Sequence, residues 1–140
     1  SVQGQVRAMH QAMAEAGIGP EQISYINAHG TATEVGDATE SQSIKQALGE
    51  HARHTPVSAT KSMHGHLIGA AGAVEFASTL LSLHTGSLPP TAHLQHPDSA
   101  CDLDYVPNQA RHGCALDYAL SHSFAFGGTN VALLARRYGG

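Results

Sequence analysis

The sequence has 140 residues, 41% hydrophobic and only 13% charged, with a formal net charge of −4; the charged share is roughly half that of an ordinary soluble domain. Seven basic residues scattered from Arg7 to Arg137 exclude a nucleic-acid-binding stripe, and two cysteines, Cys101 and Cys114, exclude a disulfide framework. The length suits one domain or a piece of something larger, and so sparsely charged a surface points to cover by another domain or subunit.

The opening run places Val2, Val6, Met9, Met13 and Ala16 on one stripe, which predicts a helix ended by Gly17. It has no signal-peptide core. After the turn "IGPEQ", "ISYINAH" reads as a short apolar strand running into "GTATEVGD". A second helix is predicted from about Val35 to Gly49, with Glu34, Asp37 and Glu40 in its first turns, where negative charge suits the helix dipole, and Ala38, Ile44, Ala47 and Leu48 on its buried side. "PVSAT" is a brief strand. Ser62 to about His84 reads as one long helix, apolar on most sides and so destined for the middle of a protein. His66 and Glu75 interrupt it too soon for a membrane span. The proline-bearing stretch from Gly86 to Gly113 reads as a long ordered connection, and "CALDYALSHSF" and "TNVALLARR" as two strands around the loop "AFGG". This alternation predicts a layered α/β domain with a partly parallel sheet and helices on both faces.

Among the polar groups, His29 stands out because it ends a buried strand and precedes Gly30, and strand ends in α/β sheets are where sites form. Lys61 ends another apolar strand, and an ammonium there needs a partner; Glu40 and Glu75, each on an otherwise apolar helix face, are the two candidates. "HGH" at 64 to 66 looks like a metal pair, but no further ligand stands at suitable spacing, so no metal is expected. Cys101 and Cys114 lack the helix N-terminus that would make a thiol nucleophilic. The remaining histidines read as structural or exposed.

Three blocks, "NAHGTATEVGD" (27–37), "KSMHGHLIGAAGAVE" (61–75) and "SFAFGGTN" (123–130), resemble in order and spacing the signatures of the β-ketoacyl-acyl carrier protein synthases, most nearly the elongating type II branch. The resemblance covers essentially the whole chain. It implies a thiolase-like α/β/α fold of which residues 1–140 form the C-terminal half, the nucleophilic cysteine belonging to an N-terminal half. The implied reaction is a decarboxylating Claisen condensation, in which an acyl-cysteine is attacked by the carbanion left when malonyl-carrier protein loses carbon dioxide.

By the same resemblance His29 and His66 hold the malonyl thioester carbonyl, Lys61 paired with Glu40 organises the site, and Glu75 belongs to the surrounding network. Thr31 and Thr33 match positions that bind the pantetheine arm. Phe124, Phe126 and Gly127 flank the acyl pocket, with the Phe126 N–H an oxyanion donor. The implied cofactor list is empty, since the 4'-phosphopantetheine arm arrives with the substrate. The implied partners are the acyl carrier protein, the N-terminal half and a second copy in a homodimer, with no nucleic acid and no membrane span, in the cytoplasm. The 140 residues alone are expected to be inactive. Three positions depart from the family pattern: Ala125 for glycine, His122 for asparagine and His64 for threonine. The alternatives are a non-catalytic chain-length-factor-like subunit, which retention of His29, Lys61 and His66 disfavours, and a histidine-rich metal-binding module.

Overall fold

A computed structural model describes residues 1–139. Helix α1, Val2–Ala16, starts where the Ser1 hydroxyl accepts the Gly4 N–H (3.3 Å). It stops at Gly17, whose φ of 66° turns the chain while the N–H groups of Gly17 and Ile18 satisfy the last carbonyls. Its stripe buries Val6, Met9 and Met13, while Ala16 in the last turn stays exposed.

The strands β1 (Ile23–Asn27), β2 (Val57–Ser58), β3 (Tyr118–Phe124) and β4 (Asn130–Arg136) form one sheet in the order β2-β1-β3-β4. β1 runs parallel to β2 and β3, and β4 runs antiparallel to β3. Side chains alternate across the sheet, so Ile26 and Leu120 join Val6, Met9, Met13, Ile44 and Leu48 in a core under α1 and α2 (Glu34–Leu48). Tyr25 and Ala119 point the other way, into a second core with Leu83, Leu88 and Val106. Burying each large side chain contributes about 1.5–3 kcal/mol. The outcome is the layered α/β domain with a partly parallel sheet that the alternation predicts, with the α/β/α layering and mixed sheet that the resemblance implies.

The connection from Gly86 to Gly113 is ordered as expected. Leu88 and Arg111 exchange backbone hydrogen bonds (2.8 and 3.1 Å), and Arg111 clamps Asp104 through both of its terminal nitrogens (2.5 and 2.6 Å).

The predicted long helix does not form as one piece. Helix α3 covers only Lys61–His64 and ends at Gly65, which takes a φ of 76°. A 3-10 turn over Ile68–Ala70 then leads into helix α4, Ala71–Thr85. Helical periodicity continues across the break, which is why the sequence pattern hides it. Nor does α4 bury all of its apolar side in this chain: Glu75, Thr79 and Ser82 are inside with Ala71 and Leu83, while Val74, Leu80 and Leu81 are exposed. Leu67, Ile68, Val131 and Leu133 are exposed as well, so apolar side chains stand uncovered on several elements. Among the described residues no helix is long and apolar enough to cross a membrane.

Candidate active site

The C-terminal ends of β1 and β2 bring the key residues together. Asn27 is fully buried at the end of β1; its side chain donates to the Glu75 carbonyl (3.2 Å) and accepts from the Thr60 hydroxyl (3.3 Å), tying β1 to α4 and to the start of α3. His29 follows two residues later and Lys61 opens α3. Lys61 Nζ has three hydrogens and three acceptors: Glu75 Oε1, the His29 carbonyl (2.6 Å) and His29 Nδ1 (3.3 Å). No hydrogen is left over for a substrate, so Lys61 holds the site rather than reacting in it.

The implied Lys61–Glu40 pairing is therefore corrected: Lys61 pairs with Glu75, and both side chains are almost wholly buried. The physical reason is the break at Gly65. In a continuous helix, residues 61 and 75 would be separated by about 21 Å. Because the chain folds back between α3 and α4, they touch.

Glu40 works on the other side of His29. Its Oε1 accepts the N–H of His29 (2.9 Å) and its Oε2 the N–H of Gly30 (2.9 Å). His122, on β3, adds a hydrogen bond from Nδ1 to Glu40 Oε1 (2.9 Å). Burial opposes charge on Glu40, but the hydrogen bond from His122 and the two N–H groups outweigh it and hold the carboxyl below its ordinary range.

The protons on the histidine pair follow from their partners. An ammonium can only donate, so His29 Nδ1 must accept and the ring proton lies on Nε2. His66 Nδ1 accepts the Ile68 N–H (3.1 Å), which puts its proton on Nε2 as well. Burial, and next the charge of Lys61, lower the His29 pKa and keep that ring neutral near pH 7. The two rings meet edge to face, their centres 5.6 Å apart, with Phe124 6.2 Å from His29. Ile68 is held at a φ of 51°, a costly state for a β-branched residue, in the same turn that presents His66.

Other expected residues lie further out. Thr31 and Thr33 share a hydrogen bond (3.2 Å) in the exposed loop before α2. Phe126 is wholly exposed and is not gathered with the histidines, while Gly127 beside it turns the loop with a φ of 81°. Ala125 is extended (φ −124°), a conformation any residue adopts. His64 turns back onto Gly65 and Thr60, and no group of three metal-binding side chains occurs among the described residues. A cavity of about 290 Å³ lies against Gly30, Thr33, Asp37, Glu40, Cys101 and Tyr105, and neither site histidine lines it. Sequence reasoning missed Asn27 as the tie between the layers and took His122 only as a departure from a pattern. The available signal was a polar residue at a strand position that apolar neighbours make buried.

Fold and site together define a layered α/β/α domain carrying one part of a thiolase-like centre. The family described as Beta-ketoacyl synthase, C-terminal domain, matches residues 1–95, and the chain belongs to that family. It is 50% identical over 135 residues to a 3-oxoacyl-[acyl-carrier-protein] synthase 2 of Synechocystis, covering 96% of this chain and 32% of that protein. A β-ketoacyl synthase from Burkholderia phymatum superposes with a TM-score of 0.93 at 38% identity, covering 99% of this chain and 33% of the other. A type II PKS acyl-carrier protein in complex with its ketosynthase bound to the hexaketide gives 0.94 at 36% identity, covering 99% and 34%. The chain thus spans about a third of the length of these relatives.

Proposed function

We propose that this chain supplies the enolate-stabilising part of a β-ketoacyl-acyl carrier protein synthase, an acyltransferase that joins an acyl thioester to malonyl-carrier protein with loss of carbon dioxide. The observation that carries this is the histidine pair, which offers two neutral Nε2–H donors from adjoining rings. Two such donors on the malonyl thioester oxygen stabilise the negative charge that develops there as carbon dioxide leaves; a single donor of this kind is worth about 3–4 kcal/mol. Lys61 and Glu40 keep the His29 peptide in place from its two sides.

The attacking thiolate comes from outside these 140 residues. Neither Cys101 nor Cys114 is among the polar or ring contacts of His29 or His66, so the chain by itself forms no ketoacyl product. Thr31 and Thr33 take the phosphopantetheine arm of the carrier protein, no separate cofactor is required, and Phe124 and the Phe126–Gly127 loop border the acyl chain. The uncovered apolar side chains of α4 and β4 face the rest of the synthase and a second copy, in the cytoplasm. Retention of His29 and Lys61, which are hydrogen-bonded to each other, and of His66 against the His29 ring weighs against a non-catalytic chain-length-factor-like role.

The test is made in the complete synthase. His29→Ala and His66→Ala are expected to suppress malonyl decarboxylation while transfer of a labelled acyl group to the cysteine persists. Equal loss of both half-reactions would overturn the assignment.

A further inference from the structure

We infer that His122 is a positioning residue for the decarboxylation step, acting through Glu40 on the backbone that carries His29. Its role in decarboxylation rests on the function proposed above; its grip on Glu40 does not.

His122 has no exposed surface. It lies opposite Ala132 of β4, and strand alternation puts it on the α2 side of the sheet with Leu120 and Phe124. A carboxylate only accepts, so the 2.9 Å contact fixes the His122 proton on Nδ1. The oxygen it binds, Glu40 Oε1, also takes the His29 N–H, and the second oxygen takes the N–H of Gly30. Two consecutive peptide N–H groups on one carboxylate leave little freedom to tilt the peptide. With Lys61 on the His29 carbonyl, both polar ends of that residue's backbone are held. A second route runs through Phe124, whose ring lies 5.0 Å from His122 and 6.2 Å from His29.

Nothing in simple packing requires an imidazole here. His122 Nε2 is buried without a hydrogen-bond partner among the described residues, so an apolar side chain of similar size would avoid a desolvation cost. What an apolar side chain lacks is the Nδ1–H donor to Glu40. That donor keeps the carboxylate charged and oriented inside the protein. The other ionisable groups around Glu40 are His29 at the end of β1, Asp37 one turn earlier on α2 and Tyr105 from the long connection.

The experiment compares His122→Phe, which removes the donor, with His122→Asn, whose amide nitrogen is as many bonds from Cα as Nδ1. In the complete synthase, His122→Phe should slow malonyl decarboxylation about tenfold or more, because small displacements of a reacting group are costly, while acylation of the cysteine changes less than about twofold. His122→Asn should recover most of the loss. A second readout is independent of turnover: the amide signals of His29 and Gly30, observed with nitrogen-labelled histidine and glycine, report protonation of Glu40. Their acid midpoint should rise in His122→Phe and return in His122→Asn. If phenylalanine disrupts the sheet, His122→Leu removes the same donor with less bulk.

An unchanged midpoint in the phenylalanine and leucine variants would overturn the inference. So would an asparagine variant as impaired as the phenylalanine one, or equal loss of both half-reactions in a folded protein. A wild-type synthase with no decarboxylase activity would overturn the proposed function and the decarboxylation role with it, and the midpoint shift would then decide whether His122 holds Glu40.

Discussion

Removing the Glu75 carboxylate is the most direct test of how the site is held. Glu75→Ala leaves the Lys61 ammonium at 4% exposure without its counter-charge. Breaking a buried pair from one side costs about 3–5 kcal/mol. The His29 carbonyl and Nδ1 still accept from Lys61, so the loss should fall near the lower end, about 3 kcal/mol. Lys61→Met keeps much of the stem's volume and strands Glu75, whose Oε2 already lacks a partner among the described residues, so its cost should be at least as large. The double variant Lys61→Met/Glu75→Leu should regain much of the loss, giving, with Lys61→Met and Glu75→Leu as its single variants, a coupling of about 2–3 kcal/mol in a double-mutant cycle. The parallel cycle for Lys61 and Glu40, which meet only through the His29 backbone, should give about 1 kcal/mol or less. Equilibrium urea unfolding of the purified protein, followed by circular dichroism with the slopes compared, measures both cycles. A larger coupling for Lys61 with Glu40 than with Glu75 would refute the assignment.

Gly30 sits at a φ of 41° with its absent Cβ position 2.7 Å from the Ala59 Cβ; Gly30→Ala should therefore cost about 1–3 kcal/mol in the same unfolding experiment. Burial, and next the charge of Glu40, raise the Asp37 pKa above its unfolded value, so the stability this group contributes is present below the unfolded value and lost as pH rises through the folded one. Asp37→Asn should accordingly stabilise the protein near neutrality, with the gain vanishing in acid. Glu40 behaves in the opposite sense: held low in the folded state, it contributes stability above its unfolded value of about 4.3 that disappears as pH falls through the lower folded value, and Glu40→Gln should flatten that acid-side loss. Ala125 is extended, but flanks a loop in which Gly127 and Gly128 take φ values of 81° and 85°. In the complete synthase Ala125→Gly should open positive-φ states to the loop and broaden the acyl chain-length profile, and an unchanged profile of acylation rates would remove any gating role.

The sequence by itself determined the elements with strong local causes. The stripe of α1 and its glycine stop, the strand before His29, the two strands at the end and the α/β layering all follow from periodicity and turn residues that act over a few positions. The spaced blocks around His29, Lys61 and His66 also marked the family and the histidine pair. Tertiary structure alone decided which carboxylate meets Lys61. The break at Gly65 leaves the helical pattern of the residues on either side unchanged, so periodicity reads straight through it, yet it brings residues fourteen positions apart into contact. Likewise α4 looks internal from composition, but this chain buries its Glu75, Thr79 and Ser82 and leaves Val74, Leu80 and Leu81 uncovered. Which face of a nearly all-apolar helix turns inward depends on what the sheet offers it. Here the sheet offers Asn27, whose amide donates to the Glu75 carbonyl, and α3 offers the Lys61 ammonium. Buried polar groups must be satisfied, whereas an apolar face can wait for a partner, and so the polar stripe of α4 sets its rotation.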